Sequence, residues 1–254
     1  MRRICAYIIS VALFSGYIPV YGQDTDVPQD SVTIPLKVSF GIEASGPVIY
    51  FTDKNVLNTE AYLLYDFDNK KALHAAGGYS NYKYSQYNYS YRNKGIFFKA
   101  GVDFNILKPE ISGGKYWAGI GLLYGISRFT WQVDSFSYEN YWGKHTFSMP
   151  EQSDWGHYLE VSPGFRAELL KNLSIGWSIS LRKLLFTSAP KDLKPAYIPG
   201  YGSTGNAISF GMNYFITFNF AFKKIRVGIK PETPPEPEEE GGSGMGTGII
   251  RGIM

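Results

Sequence analysis

Ile208-Ser-Phe-Gly-Met-Asn-Tyr-Phe-Ile-Thr-Phe-Asn-Phe-Ala-Phe222 decides how this chain is read. Its even positions, Ile208, Phe210, Met212, Tyr214, Ile216, Phe218, Phe220 and Phe222, are all large and apolar. The odd ones carry Ser209, Gly211, Asn213, Thr217, Asn219 and Ala221, with Phe215 the bulky exception. A period of two belongs to a strand whose faces meet different surroundings. At roughly 3.3 Å per residue the run reaches about 50 Å, enough to cross a bilayer at a steep tilt and project past it. Soluble strands are much shorter. The stretch reads as a membrane strand.

Working outward, seven further segments alternate. Segment 32–44 sets Ile34, Leu36, Val38, Phe40 and Ile42 against Lys37, Ser39, Gly41 and Glu43. A short segment near 60–67 and a Tyr-, Ala- and Gly-rich one at 72–85 follow, the latter losing its phase around Gly77 and Gly78. Segment 95–106 sets Ile96, Phe98, Ala100, Val102, Phe104 and Ile106 against Lys99, Gly101, Asp103 and Asn105. Segment 115–129 opposes Tyr116, Ile120, Leu122, Tyr124 and Ile126 to glycine and serine. Segment 154–169 opposes Trp155, Leu159, Val161 and Phe165 to Glu160, Arg166 and Glu168, and 173–186 opposes Leu173, Ile175, Trp177, Ile179 and Leu181 to small residues and Arg182. An even count of antiparallel strands suits a closed barrel, so the expected fold is all-β: an eight-stranded antiparallel up-and-down transmembrane β-barrel over 32–224.

The connections alternate too. Asp68-Asn69-Lys70, Lys171-Asn172 and the Pro- and Gly-containing Lys108–Gly114 are short, whereas loops are expected at 45–59, 86–94, 130–153 and 187–206. Short turns belong to the periplasmic side of an outer-membrane barrel and long loops to the cell exterior, which puts both termini in the periplasm. A soluble lipocalin-like barrel is the rival, since it also has eight strands but turns its apolar face inward. Here the apolar face holds too much Phe, Tyr and Trp for such an interior, and the other face carries too few charges for a water-facing surface. The membrane orientation is preferred.

The N-terminus agrees with export. Arg2 and Arg3 precede the apolar stretch Ile4–Pro19, and Val20 and Gly22 suit a cleavage site, so residues 1–22 read as a signal peptide and 23–31 as a periplasmic lead-in. A retained anchor helix is the alternative. Cys5, the one cysteine, lies in that leader, leaving no thiol for disulfide, metal or nucleophile chemistry. With Arg2 and Arg3 removed, the 25 Lys+Arg fall by two against 22 Asp+Glu, a net charge of about +1 that speaks against a nucleic-acid partner. Beyond the leader no apolar run reaches the ~18 residues of a helical span. The tail 225–254, with Pro231-Glu-Thr-Pro-Pro-Glu-Pro-Glu-Glu-Glu240 and a Gly-rich end, reads as disordered and periplasmic, either without a role or a short docking peptide.

Gly164-Phe-Arg-Ala-Glu168, the turn Lys171-Asn172-Leu173, Ser178-Ile-Ser-Leu-Arg182, Tyr197-Ile-Pro-Gly-Tyr201 and Phe210-Gly-Met-Asn-Tyr-Phe215 leading to Lys223-Lys224 occur in that order. On these motifs the region 31–224 resembles an uncharacterised Bacteroidota outer-membrane barrel family, a domain of unknown function. The resemblance implies an eight-stranded barrel in a Gram-negative outer membrane and no activity, cofactor or site residue.

No catalytic constellation is apparent. Outer-membrane lipid-modifying enzymes need a His with Ser and a polar partner. Of the three histidines, His157 falls in phase with the lipid-facing residues, His145 lies in a long loop and His74 begins the third strand. A Gly-x-Ser-x-Gly elbow and a metal-ligand spacing are both missing from the sequence. The one constellation is the charges on the small-residue face: Lys37, Glu43, Lys99, Asp103, Glu160, Arg166, Glu168 and Arg182 all point, by phase, into the lumen. Eight strands enclose side chains but no water column, and buried charges must pair, so an ion-pair network plugging the barrel is expected. A selectivity ring in a pore is the alternative. The function expected is therefore non-enzymatic, a structural or interaction role that includes membership of an outer-membrane assembly, secretion or uptake complex. Partners would be outer-membrane lipid and other outer-membrane or periplasmic proteins, met through loops 130–153 and 187–206 and tail 225–254. A narrow pore or transporter, then a lipid-modifying enzyme, are the alternatives.

Overall fold

The structure, a computed structural model, describes residues 31–190 and 194–229. The expected leader, Cys5 and residues 230–254 of the tail lie outside the described residues. Eight antiparallel strands form a closed barrel: β1 (Ser31–Glu43), β2 (Val56–Asp66), β3 (Lys71–Gln86), β4 (Tyr89–Asn105), β5 (Tyr116–Asn140), β6 (Gly143–Leu170), β7 (Leu173–Thr187) and β10 (Ile208–Gly228). The two-residue strands β8 (Tyr197–Ile198) and β9 (Gly202–Ser203) pair separately. Each barrel strand pairs with its chain neighbour, and β1 closes on β10 in a register running from Ser31↔Gly228 to Glu43↔Phe215. Two helices, α1 (Ser45–Thr52) and α2 (Pro109–Ser112), occupy connections. Among the described residues no helix is long and apolar enough to cross a membrane, and the crossing falls to the strands.

The face question resolves as the alternation requires. Phe210, Phe220 and Ile96 are 67%, 61% and 61% exposed, and Leu122, Leu159, Trp177 and Leu181 join them on the outside. Residues of the opposite phase, Lys99, Asp103, Glu160, Ser180, Arg182, Asn213 and Thr217, are buried within. In water such an apolar exterior would be an aggregation surface; in lipid it is the solvent-matched one. The fold is a transmembrane β-barrel.

β1 departs from simple alternation. A register shift between Leu36 and Lys37 places a β-bulge there. The register skips Phe222 of β10 there, and across this point the inward phase of β1 changes: Ile34 and Leu36, expected outside, are buried at 4% and 5% exposure, beneath Lys37. The Lys37 backbone N–H donates instead to Asp66 Oδ2 at 2.9 Å.

The long connections are also corrected. Segments 86–94 and 130–153 are not loops: β3 and β4 meet in a turn at Tyr87-Asn88, and β5 and β6 run on to one at Tyr141-Trp142. Toward the tips of these hairpins both faces meet water, so the apolar–polar contrast fades while the backbone ladder continues. For the same reason β10 extends past the expected barrel end at 224. Ile225, Arg226, Val227 and Gly228, assigned by sequence to a disordered tail, pair with β1 residues Ile34 to Ser31.

Candidate functional site

The lumen holds three layers. Seven of the eight charges expected there pair inside the barrel, and three of them, Lys99, Glu160 and Arg182, meet in its middle. Lys99 Nζ, 1% exposed, lies 2.7 Å from Glu60 Oε1 and 3.2 Å from Glu160 Oε2. Glu160 also accepts from Arg182 Nε at 3.0 Å and Ser180 Oγ at 2.9 Å. Arg166 donates to Asp103 Oδ2 at 3.0 Å while its guanidinium lies 3.9 Å over the Trp117 ring. Lys37 Nζ contacts Glu168 Oε2 at 2.5 Å and the Gly114 carbonyl at 2.6 Å, toward the turn end. Each cation faces a carboxylate, the arrangement that buried charges require.

Glu43 stands apart. Its carboxylate accepts the backbone N–H groups of Ser45 and Gly46, both at 2.8 Å, and binds the Ser45 hydroxyl. It thereby satisfies donors at the start of α1 and, among the described residues, joins no ion pair. Phase located this residue inside, yet its position at the strand end gives it the helix to hold.

Two members escaped the sequence reading. Glu60 lies in the short second segment, where four or five residues show no clear phase, yet it is the closest carboxylate to Lys99. His74 turns inward, with Nδ1 2.9 Å from Asp103 Oδ1. A cavity of about 40 Å³ lies among Glu60, Tyr62, His74, Asp103, Glu160 and Arg166. That volume holds a few waters at most, far short of a continuous channel.

The third layer is a cap supplied by the connection between β7 and β10. Of segment 187–206, expected to be a loop reaching outward, residues 194–206 turn back over the barrel. Ile198 and Tyr201 are 0% and 1% exposed and pack with Tyr91, Phe129, Trp131 and Tyr158. Tyr82 and Tyr197 stack at 4.8 Å between centroids, and Asn93 Nδ2 donates to the Tyr197 carbonyl at 2.8 Å. Asp154 ties down the segment's start, accepting from Trp131 Nε1 at 2.9 Å and Ser188 Oγ at 2.7 Å. Small residues make room for the rings. Across from Tyr158 stands Gly125, where any Cβ would sit inside the tyrosine ring. Gly200 adopts φ +74°, and a Cβ there would collide with Tyr158 and Phe97. Beside the cap, above the membrane, burial pushes the Tyr91 phenol up to about 12.

The remaining histidines lie elsewhere. His157 is on the outer face, Nδ1 2.7 Å from the Tyr124 hydroxyl, and His145 stacks on Tyr138 in the β5–β6 hairpin. Among the described residues no group of three His, Cys, Asp or Glu side chains could hold a metal ion.

A family model, Domain of unknown function (DUF6048), matches residues 4–225. The chain belongs to that family. The match covers every described barrel strand up to Ile225 and the five motifs Gly164–Glu168 to Phe210–Phe215. A search of curated proteins finds no match to the sequence. Solved structures with a similar course include Ail, the attachment invasion locus protein of Yersinia pestis, at 13% identity, covering 75% of this chain and 97% of that one, with a TM-score of 0.37. Ail in complex with the heparin analogue sucrose octasulfate gives 13%, 74%, 100% and 0.41. CarO of Acinetobacter baumannii gives 14%, 74%, 98% and 0.34. Values this low bear on no residue's role.

Proposed function

We propose that this chain is a non-enzymatic integral outer-membrane barrel of a Gram-negative cell of the Bacteroidota type, made with a cleaved leader at 1–22 and working by interaction rather than by conduction or catalysis. The observation that carries the reading is the filled lumen. The paired charges around Lys99 and Glu160 and the cap around Ile198 and Tyr201 both fill the barrel interior. A selectivity ring needs charges that face water and a permeant ion; these charges face one another. The lipid-modifying alternative gains nothing from His157, whose hydrogen-bond partner is a tyrosine.

What remains available is the end bearing the hairpins. Tyr87, Tyr141 and Trp142 are more than four-fifths exposed at the hairpin turns, and Phe147 stands beside them on β6. Aromatic side chains on two-residue turns between paired strands, rather than on a long loop, give contact area at low entropic cost. The surface proposed for partner contact is therefore the β3–β4 and β5–β6 hairpins, with the hairpin end outside the cell and both termini in the periplasm. A partner on the opposite side would meet the segment from Lys230 onward. The concrete version is a subunit of an outer-membrane assembly, secretion or uptake complex.

The test is solubilisation of native membranes in mild detergent and isolation through a tag on the full-length chain. A component should elute with the barrel at fixed ratio and be lost from the Tyr141→Ser, Trp142→Ser variant. Elution of the parent alone, at the size of one barrel in its micelle, would contradict the reading.

A further inference from the structure

Nine outward-facing residues just beyond the apolar belt form a three-by-three array on β3, β4 and β5. The strand registers put Tyr79, Ile96 and Arg128 in one row, Asn81, Lys94 and Thr130 in the next, and Lys83, Arg92 and Gln132 in the third. Their chain neighbours Ser80, Tyr91, Asn93, Phe129 and Trp131 are buried inside, so phase alone aims the array outward. The row beneath it, Gly77, Phe98 and Ile126, belongs to the lipid-facing belt. A groove of about 230 Å³ lies over the array, lined by Asn81, Lys83, Arg92, Lys94, Thr130 and Gln132, with Glu151 at its rim.

Its charge is only partly answered by the protein. Arg92 is held by Asp134, with Nε and Nη2 at 2.7 and 2.6 Å from the two oxygens. Lys94 meets Glu151 only at 3.8 Å, with both side chains about half exposed or more. Arg128 lies 5.4 Å over the outward ring of Trp155, a contact that leaves its charge uncompensated. Two carboxylates thus face four cations. Excess positive charge, amide and hydroxyl donors, and an apolar surface directly below together suit a molecule with an anionic head and hydrocarbon chains.

We propose that this array docks a phosphorylated, acylated sugar embedded in the outer leaflet, its phosphates over Lys83, Lys94 and Arg128 and its chains along Ile96 and Phe98. The inference rests on the reading that the hairpin end faces outward.

The experiment uses the full-length protein in phosphatidylcholine nanodiscs, titrated with bis-phosphorylated lipid A, with the same lipid stripped of its phosphates, and with inorganic phosphate. The phosphorylated lipid should bind about tenfold tighter or more than the stripped one. The Lys83→Gln, Lys94→Gln, Arg128→Gln variant should lose that preference while keeping its heat-modifiable gel mobility. Arg92 stays because it holds Asp134. Should the triple variant fail to fold, Lys94→Gln alone should weaken the preference by a measurable fraction. Equal affinity for the two lipids, or a preference that survives the substitutions, would overturn the proposal. Inorganic phosphate binding as tightly as the lipid would overturn it too, because the site would then read a free anion. Nanodiscs expose both faces of the bilayer, so failure here concerns the array; failure of the orientation would appear instead as cell-surface protease missing the hairpins.

Discussion

Lys99 Nζ lies 2.7 Å from Glu60 Oε1, and neither side chain is more than 6% exposed. A buried charge keeps its partner because the alternative is a desolvated ion with nothing to face. Lys99→Met takes the ion-pair partner from Glu60 and leaves Glu160 with Arg182 and the Ser180 hydroxyl. The expected cost is ~3–5 kcal/mol, read as a lower temperature for loss of the fast-migrating folded form on gels. The double variant Lys99→Met, Glu60→Gln should recover much of that loss. An unchanged transition temperature in the single variant would mean that the pair is not buried as described.

Arg166→Leu offers a graded comparison. Asp103 keeps His74 Nδ1 at 2.9 Å after the guanidinium is gone, and leucine still covers Trp117. The cost should therefore fall below that of Lys99→Met, at about 1–3 kcal/mol. Loss equal to or greater than that of Lys99→Met would show that His74 does not support Asp103.

The cap has a separate weak point at Gly200. Valine there would have to adopt φ +74° and enter space held by Tyr158 and Phe97. The barrel strands should still form, since none of their pairing involves residue 200. Segment 194–206 should be displaced, and a broad-specificity protease should nick it in the folded variant but not in the parent. Equal resistance of the two would show that the cap does not depend on this close approach.

How much of this was readable beforehand depends on where two solvents differ. Ile208 to Phe222 faces lipid on one side and packed polar groups on the other, so strand, phase and lumen-facing charges all followed from alternation. Lys99, Glu160 and Arg182 were located inward by phase alone. Where both faces meet water, as from Phe136 to Ser153, contrast vanishes and a hairpin read as a loop. Phase also fails at a bulge, which is why Ile34 and Leu36 turned inward unannounced. Glu60 was missed because its segment was too short to show a period. The cap was missed because Ile198 and Tyr201 are separated by Pro199 and Gly200 in an aperiodic stretch, and its packing partners come from five barrel strands, β3 to β7. No local pattern records such contacts.

Assembly should depend on the end of β10. Phe218 pairs with Phe40 and Phe220 with Val38 at the seam that closes the barrel, on the lipid face. Charge at membrane depth costs ~2–4 kcal/mol per residue for the basic side chains and less for the acidic ones. Phe218→Asp, Phe220→Asp should leave the protein out of the membrane fraction, whereas a chain ending at Ile229 should insert and resist heating like the parent. A chain ending at Ile225 loses the pairs of Arg226, Val227 and Gly228 with Thr33, Val32 and Ser31 and should melt lower. Equal melting of the two truncations would show that those last pairs contribute nothing.

The central claim, a barrel closed across its lumen, is tested most directly by current through single molecules in a planar bilayer. The full-length protein, inserted and verified as folded by its gel mobility, should give no stepwise openings above the bare membrane. Regular openings of reproducible size, altered in ion selectivity by Lys99→Met, would show a conducting path past Lys99 and Glu160 and would contradict the account.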